Sequence, residues 1–256
     1  MALSHIQVAA FRQAANRVYL DRPIGDGIGT LSERMLHAIF KLYLCDDPSF
    51  HEVKVGRYVA DILYDDHIWE IQTRRLDRLI PKLNAFLDTY RVTVVYPVAH
   101  SKTVAWIDPE TKAMTKGRKS PKRENLFSCL YELFYIKEYL THPNLSFQAI
   151  LCDMEEFRTL TGYGPQKKKR APRVERIPTN LVDEILLEGI EDYHVFLPQE
   201  LPQEFTIQEY AKMAKIHAST ASRGLQTLKY LGLVREAGKR GRAKLYAKCE
   251  VQDESL

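Results

Sequence analysis

Three polar side chains on a predicted β-hairpin have the types and spacing that phosphodiester chemistry requires. If Asp65-Asp66 forms a two-residue turn, positions whose numbers sum to 131 lie opposite each other, so Asp61 faces Glu70. Directly opposed residues on antiparallel strands have Cβ atoms about 5 Å apart. Two carboxylates at that distance repel each other, and a divalent cation bound between them removes the penalty. A bound Mg²⁺ can activate water and neutralise the charge that develops at phosphorus.

The apolar residues of the same segment decide which face of the hairpin carries the acids. Four of them alternate with polar residues and are expected to face the core: Ala60, Ile62, Trp69 and Ile71. Gln72 shares the opposite face with the two acids. Its amide can orient a water molecule by hydrogen bonding but adds no positive charge. A solvated edge of the sheet is the alternative explanation for these polar side chains.

Helices and strands alternate around this hairpin. Apolar periodicity predicts a helix at 30–44, the hairpin at 51–73, a helix at 74–90, strands at 91–98 and 102–107, a helix at 124–140 and a strand at 146–154. This order is typical of a mixed α/β sandwich. Thr30 and Glu33 have the spacing of a capping box at the start of the first helix. That role explains Glu33 without any metal, so its assignment as a ligand stays open.

Glu33 on the first helix, Asp61 on one strand and Glu70-Ile71-Gln72 on the next resemble the motif of the PD-(D/E)XK restriction-endonuclease-like nuclease superfamily. The resemblance covers residues 30–100 and implies a restriction-endonuclease-like α/β/α core. It implies that Asp61 and Glu70 bind Mg²⁺, for which Mn²⁺ can substitute, and that Glu33 completes the metal shell. It also implies that residue 72 positions the attacking water. Gln72 stands there in place of the usual Lys, which makes this an E-x-Q variant.

Two other sets of charged residues lie close to the hairpin in sequence. Glu52-Val53-Lys54 spells E-x-K, but it precedes Asp61 on what we expect to be the same strand. Arg74, Arg75 and Arg78 follow the motif on a predicted helix. These arginines can either clamp phosphates or face water, and the sequence favours neither.

The segment 205–248 has a different pattern. Thr206 and Glu209 have capping-box spacing and open a short helix, and after a turn a second helix ends before Gly232, a C′ glycine. Two short strands with a basic turn between them come next. A further helix is expected at 179–190, ahead of this segment.

This order of helix, turn, helix and basic hairpin resembles the winged helix-turn-helix family, whose members bind DNA. The resemblance implies that the first residues of the second helix face base edges in the major groove: Ser219, Thr220, Ser222 and Arg223. Of these, Arg223 is suited to guanine. Four hairpin cations are expected at phosphates or in the minor groove: Lys239, Arg240, Arg242 and Lys244. Winged helices also mediate protein contacts, which is the alternative.

Composition and charge agree with this organisation. The chain has 256 residues and a formal net charge of +4, a mild basic bias that permits a nucleic-acid partner. Four cysteines without a CxxC pair argue against a zinc ribbon or a disulfide scaffold and favour the cytoplasm. The lack of a long apolar run predicts no membrane span. The basic residues 162–177 are expected to link a nuclease domain at 1–161 to a DNA-binding domain at 178–256.

These features together predict a cytoplasmic, Mg²⁺-dependent DNA endonuclease that a winged helix locates on DNA. A homodimer or a partner protein is expected where both strands are cut. The architecture is also similar to the endonuclease subunit of Tn7-type transposases, and a mobile-element or defence role is compatible with it. The alternative is a catalytically inactive nuclease-fold DNA-binding protein or transcriptional regulator, because Gln72 lacks the charge of Lys. An RNA-directed nuclease is a third option.

Overall fold

The computed structural model of the chain describes residues 3–21, 35–108, 110–111, 113–159 and 173–249. Internal contacts divide the chain into two compact units. Unit 1 comprises Met1–Tyr64, Pro97–Asn125 and Ile150–Glu184, and unit 2 comprises Asp65–Tyr96, Leu126–Ala149 and Ile185–Leu256. No helix within the described ranges has the length and apolar character needed to cross a membrane.

Unit 1 combines helices with strands from three segments of the chain. Its elements are α1 (His5–Asp21), α2 (Met35–Leu44), a 3-10 turn (Pro48–Phe50), β1 (His51–Val55), β2 (Tyr58–Tyr64), the second half of β4 (Arg91–Ile107), β5 (Arg118–Lys119) and most of β6 (Leu145–Thr159) and β7 (Arg173–Leu187). The two helices pack through aromatic rings, since the ring centroid of Phe11 lies 6.1 Å from that of Phe40 and 5.6 Å from that of Tyr43.

Unit 2 contains the remaining elements. They are β3 (His67–Ile71), α3 (Ile80–Phe86), the start of β4, α4 (Leu130–Leu133), β8 (Glu204–Thr206), α5 (Ile207–Ala214), α6 (Ala218–Tyr230), β9 (Val234–Arg240) and β10 (Ala243–Lys248). Single 3-10 segments precede or follow several helices, at Leu76–Leu79, Leu126–Cys129, Phe134–Tyr139 and Ile190–Phe196.

The strands form two sheets. A seven-stranded sheet has the order β1-β2-β3-β4-β6-β7, with β5 paired to β4, and a three-stranded sheet has the order β8-β10-β9. β1 and β2 are antiparallel, whereas β3 and β4 are parallel, with His67 opposite Arg91. The core follows the central strand, where Val92, Val94 and Val98 are fully buried. A large mixed sheet with several helices confirms the α/β class, while the restriction-endonuclease-like α/β/α core stays a prediction.

The turn of the predicted hairpin lies where the sequence indicates, whereas residues 51–55, expected in its first strand, form the separate strand β1. β2 ends at Tyr64 and β3 begins at His67, so the intervening Asp65-Asp66 forms the two-residue turn. Asp65 has a positive φ of 52°, as such turns favour. Ala60, Ile62 and Ile71 are buried as predicted.

Trp69 departs from the predicted core face. It is half-buried and stacks on His67 with a centroid distance of 3.8 Å, whereas its neighbour Ile68 is fully buried. On the other side of β3, Lys82 of α3 contacts Glu70, which lies on the same side as Ile68. Both sides of β3 are therefore at least partly buried.

At residues 173–187 the structure differs from a helix and a linker that the sequence predicts. The helix predicted at 179–190 is wrong, because β7 runs from Arg173 to Leu187 as a neighbour of β6. Its apolar residues are spaced ambiguously, and pairing in the sheet decides between strand and helix. Of the predicted linker 162–177, residues 162–172 lie outside the described residues and residues 173–177 belong to β7. The predicted domain limits, 1–161 and 178–256, stay a prediction.

Three further element boundaries differ from expectation. One continuous strand, β4, replaces the two predicted at 91–98 and 102–107. The helix predicted at 74–90 shortens to α3, because Pro81 is tolerated only in a first helical turn. The helix predicted at 124–140 is a four-residue α4 between 3-10 segments, with non-helical dihedral angles at Ile136. Apolar residues are nearly continuous in this segment, so their spacing could not indicate where the helix is interrupted.

Candidate active site and nucleic-acid interface

Glu70 is the most buried of the predicted site residues that the structure describes. It lies on β3 and is 2% exposed. Lys82 Nζ donates hydrogen bonds to both carboxylate oxygens of Glu70, at 2.7 Å and 2.9 Å. An ammonium at this distance favours the ionised form of a buried carboxyl group. Lys82 thus places a positive charge against both carboxylate oxygens of Glu70.

Lys82 was missed by reasoning from the sequence, although the sequence contains a signal for it. It stands on α3 three residues after Leu79 and four before Phe86, both of which are buried. A charged residue at these spacings lies on the apolar stripe of its helix. Such a residue needs a partner of opposite charge inside the fold. The sequence could have pointed to a buried acid, but it could not identify Glu70.

Gln72 directly follows β3 and stays in register with β4. Its backbone N–H donates to the Val95 carbonyl at 2.9 Å, which extends the parallel pairing by one residue. Because side chains alternate along a strand, Gln72 and Glu70 lie on the same side of it. The Gln72 amide donates a long hydrogen bond of 3.4 Å to the Arg75 carbonyl. This weak restraint leaves the amide able to turn toward a water molecule.

Asp61 lies in unit 1, half-buried on β2 between the buried Ala60 and Ile62. The register of β1 with β2 pairs Val53 with Ala60, so Glu52 is at the position opposite Asp61. The E-x-K sequence at 52–54 is thus on its own strand, contrary to the prediction of one strand for both. Side chains at opposed positions of antiparallel strands are neighbours. Unit 1 therefore has two acids, Glu52 and Asp61, at opposed positions of neighbouring strands.

A buried cation accompanies these acids. Lys41 of α2 is 5% exposed, and its Nζ donates to Glu52 Oε1 at 3.0 Å. Glu52 has a positive φ of 53°, which is uncommon for a residue other than glycine. Lys54, the last residue of the E-x-K sequence, is exposed. Lys41 was not predicted from the sequence. Like Lys82, it is a single Lys on the apolar stripe of its helix, which indicates a buried partner of opposite charge.

The predicted metal ligands are distributed over separate parts of the chain. Glu33 lies outside the described residues. Asp61 belongs to unit 1, whereas Glu70 and Gln72 belong to unit 2. Within the ranges that the structure describes, no group of three or more His, Cys, Asp or Glu side chains could hold a metal ion. The magnesium site stays a prediction, because one of its three ligands is not among those residues.

The arginines after the motif differ in their surroundings. Arg75 has a positive φ of 60° and binds Asp77 through two hydrogen bonds of 2.9 Å and 2.8 Å. The Arg75 guanidinium lowers the pKa of Asp77 below its ordinary value. Arg74 and Arg78 are exposed. Of the three candidate phosphate clamps, Arg75 is thus already engaged by a carboxylate.

The C-terminal part of unit 2 has the predicted order of helix, turn, helix and hairpin. The Thr206 backbone N–H donates to Glu209 Oε2 at 2.7 Å, and the Glu209 N–H donates to Thr206 Oγ1 at 3.3 Å. This reciprocal pair confirms the predicted capping box of α5. After α6, Gly232 has the φ of +78° expected of a C′ glycine.

The first turns of α6 pack against α4. Arg223 lies 3.9 Å from the ring centroid of Tyr131, and its Nη1 donates to the Tyr135 hydroxyl at 2.7 Å. A Cβ on Gly224 would come within 2.7 Å of Leu130 Cδ1, so the glycine permits this close approach. Arg223 must leave its aromatic partners before it can contact guanine. Its base-reading role stays a prediction, and no sequence pattern indicates this competing contact.

The other predicted DNA contacts on α6 and the hairpin are accessible. Ser219 is exposed, and Thr220 and Ser222 are half-buried. Lys239 and Arg242 are exposed near the turn of the β9–β10 hairpin. Arg240 is also exposed, but its Nη1 donates to Glu209 Oε1 at 2.9 Å. An exposed ion pair of this kind is weak and can be exchanged for a phosphate.

A cavity of about 550 Å³ brings predicted residues of α6 and the hairpin together. Its lining includes Ser222, Gln226, Lys229, Tyr230, Glu236 and Lys244. Lys229 Nζ and Lys244 Nζ both donate to Glu236 Oε1, at 2.7 Å and 3.3 Å. These two lysines lower the pKa of Glu236. The cavity thus offers lysine ammonium groups beside the half-exposed ring of Tyr230.

Comparison with known proteins identifies relatives of this chain. Residues 34–188 match the model of a domain of unknown function, DUF8091. An uncharacterized protein of Treponema pallidum (strain Nichols) is 30% identical over 232 residues, which cover 86% of this chain and 87% of that protein. No solved structure matches significantly. The matched domain includes Asp61, Glu70 and Lys82, while α5 and α6 follow it in sequence.

Proposed function

The chain belongs to the DUF8091 family, and from the geometry of its own side chains we propose that it is a Mg²⁺-dependent DNA endonuclease. The observation that carries the proposal is the buried Glu70 carboxylate, which Lys82 Nζ contacts on both oxygens. Gln72 lies two residues further on, on the same side of the strand. An acid, an ammonium and an amide are thus grouped on β3 and α3.

Each of these groups has a role in phosphodiester hydrolysis. Glu70, with Asp61 and Glu33, would hold Mg²⁺, and carboxylate oxygens fit this ion because hard cations prefer oxygen ligands. When bound, the metal supplies an activated water and neutralises charge at phosphorus. Lys82 provides the positive charge that Gln72 lacks. Gln72 orients the water through its amide, which can both donate and accept hydrogen bonds.

The C-terminal helices and hairpin supply the DNA-binding half of the proposal. Exposed Lys239 and Arg242 near the turn of the hairpin, together with Lys229 and Lys244 at the cavity, form a basic surface. Lysine and arginine side chains that neutralise backbone phosphates release counterions, so affinity falls steeply with salt. Replacing Lys239 and Arg242 by Glu should weaken binding to duplexes of every sequence and reduce this salt dependence. A variant with unchanged affinity would show that the hairpin does not contact DNA.

A cleavage assay on the full chain tests the catalytic half. Plasmid and linear duplex DNA are incubated with Mg²⁺, Mn²⁺ or EDTA, and cleavage is expected with either metal and not with EDTA. Asp61→Asn and Glu70→Gln should abolish cleavage and leave DNA affinity, measured by fluorescence anisotropy, unchanged. Asp88→Asn, at an exposed acid of unit 2, is the matched control and should cleave as wild type. Cleavage in EDTA, or in both site variants, contradicts the proposal.

One observation favours a second candidate, a DNA-binding protein of the same fold without catalysis. Lys82 Nζ hydrogen-bonds both oxygens of Glu70 and therefore competes with a metal for them. The variant Lys82→Met tests the role of Lys82 in the first candidate. Loss of cleavage by a variant that circular dichroism shows to be folded means that Lys82 assists catalysis, as proposed. Wild-type protein that binds DNA but does not cut it with either metal identifies the non-catalytic candidate.

A further inference from the structure

A second buried carboxylate lies in unit 1, remote in sequence from the hairpin. Glu156 on β6 is 1% exposed and is surrounded by three cations, Lys102 of β4, Arg158 of β6 and Arg176 of β7. Arg158 Nε donates to Glu156 Oε1 at 2.6 Å, and Arg176 Nη2 donates to Glu156 Oε2 at 3.3 Å. Lys102 Nζ lies 3.7 Å from Glu156 Oε2. We call these four residues the Glu156 cluster.

The Glu156 cluster has more positive than negative charge. Three cations and one carboxylate leave a formal surplus of two positive charges within the described residues. Glu124 also acts on Lys102, but it pairs with Lys122 at 3.5 Å and so adds no net charge. Glu175 precedes Arg176 on β7, and the alternation of side chains along a strand places its carboxylate on the other side. Within the part of the chain that the structure describes, neither Glu124 nor Glu175 therefore balances the surplus.

Burial makes this surplus costly. The side chains of Lys102 and Arg176 are only 11% and 14% exposed, and Arg158 is 34% exposed. Burial lowers the pKa of Lys102, although Glu156 opposes the shift. Burial also works against ionisation of Glu156, but Arg158 and Lys102 outweigh it and lower the pKa of this carboxyl group. Charges removed from water in this way need a partner of opposite sign.

In the described part of the chain, the site also has buried nitrogen atoms without a hydrogen-bond partner. Arg176 Nε is buried and has no hydrogen-bond partner among the described residues, and the same holds for His100 Nδ1. His100 precedes Lys102 by two positions on β4, so both side chains lie on the same side of the strand. A ligand that suits this site has negative charge and several acceptor oxygens. The planar fork of arginine matches phosphate oxygens in both geometry and charge.

We infer that the Glu156 cluster binds a phosphoryl group, held by Arg176 and Lys102 with Arg158 at the more exposed side. Free phosphate, a nucleotide or a nucleic-acid backbone can each supply this group. The inference does not depend on the proposed nuclease activity, because none of its residues belongs to the predicted metal site. Glu156 acts as an internal counter-charge that orients the cations and reduces their mutual repulsion.

Binding of inorganic phosphate to the full chain tests the inference in EDTA, where no metal-dependent step can contribute. Equilibrium dialysis gives the affinity, and thermal unfolding in phosphate or chloride at equal ionic strength gives the shift in Tm. Arg176→Gln should weaken phosphate binding about tenfold or more, since it removes a charge-assisted hydrogen bond. Arg118→Gln is the matched control on exposed β5 and should bind phosphate as wild type does.

A variant that is expected to bind phosphate more tightly controls for misfolding. Glu156→Gln removes the internal counter-charge, so phosphate should bind more tightly and raise Tm by more than it does in wild type. If Arg176→Gln does not fold, Arg158→Gln at the more exposed position replaces it. The inference is overturned if phosphate binds equally well to wild type, to Glu156→Gln and to the arginine variant. That result would identify a structural ion cluster.

Competition then identifies the source of the phosphoryl group. Labelled phosphate is displaced from wild-type protein by a mononucleotide or by a short DNA duplex, again in EDTA. Displacement by the duplex assigns the site to a nucleic-acid backbone, and displacement by the mononucleotide alone assigns it to a small phosphorylated molecule. Loss of cleavage activity in the Glu70 variant leaves these readouts unchanged, so the two proposals can fail separately.

Discussion

Glu70 in unit 2 and Glu156 in unit 1 are both almost fully buried carboxylates, but their cations differ. Lys82 binds both oxygens of Glu70, and that pair is neutral in itself. Glu156 shares its oxygens among three cations and leaves a positive surplus. The net charge of a buried cluster determines the sign of the ligand that it can accept. The first arrangement is compatible with a further cation beside additional acids, and the second with an anion.

The largest expected effect comes from removing the carboxylate of the positive cluster. Glu156→Ala leaves three buried cations without their shared partner and should reduce the free energy of unfolding by about 5 kcal/mol. Denaturant unfolding followed by circular dichroism measures the change. A loss as small as that at an exposed acid such as Glu110 would mean that water already solvates the cations.

Removing the cation of the neutral pair should have the next largest effect. Lys82→Met leaves Glu70 buried without its ammonium, at an expected cost of about 3 kcal/mol, less than at Glu156 because Lys82 is 25% exposed and water can replace it. Combining Lys82→Met with Glu70→Gln should restore part of the lost stability. Lys212→Met, at an exposed lysine of α5, is the control. Additive effects of the two substitutions would show that the pair is not coupled.

A smaller effect is expected at the exposed side of the positive cluster. Arg158→Gln leaves Lys102 and Arg176 at Glu156, so the free energy of unfolding should fall by only about 1–2 kcal/mol. The same unfolding experiment measures it. A loss as large as that of Glu156→Ala would mean that Arg158 alone compensates the carboxylate.

The smallest expected effect is that of acidification on the stability contributed by Glu156. The pKa of Glu156 is lowered in the folded chain, so its ionised form contributes stability above its ordinary value of 4.5. That contribution is lost as pH falls below this value and through the folded pKa, because the unfolded chain takes up the proton first. Stability measured between pH 7 and pH 3 should fall less steeply in Glu156→Gln than in wild type. Identical slopes would exclude Glu156 as a source of acid sensitivity.

Local features of the fold could be predicted from the sequence because they depend on neighbouring residues. The Asp65-Asp66 turn, the Thr206–Glu209 capping box and Gly232 after α6 each follow from short-range geometry. The strand β7 could not be predicted, since its apolar spacing fits a helix equally well and pairing in a sheet is decided by distant residues.

The candidate sites also combine features set by neighbouring residues with features set by distant ones. By itself the sequence determined that Asp61, Glu70 and Gln72 stand at hairpin spacing, since strand alternation and a two-residue turn leave little freedom there. Only the tertiary structure decided that Lys82 reaches Glu70, that Arg223 packs on Tyr131, and that three cations meet at Glu156. Those contacts join segments far apart in sequence. Charge pairing in the interior depends on which segments the packing of apolar side chains brings together, and no local pattern records that outcome.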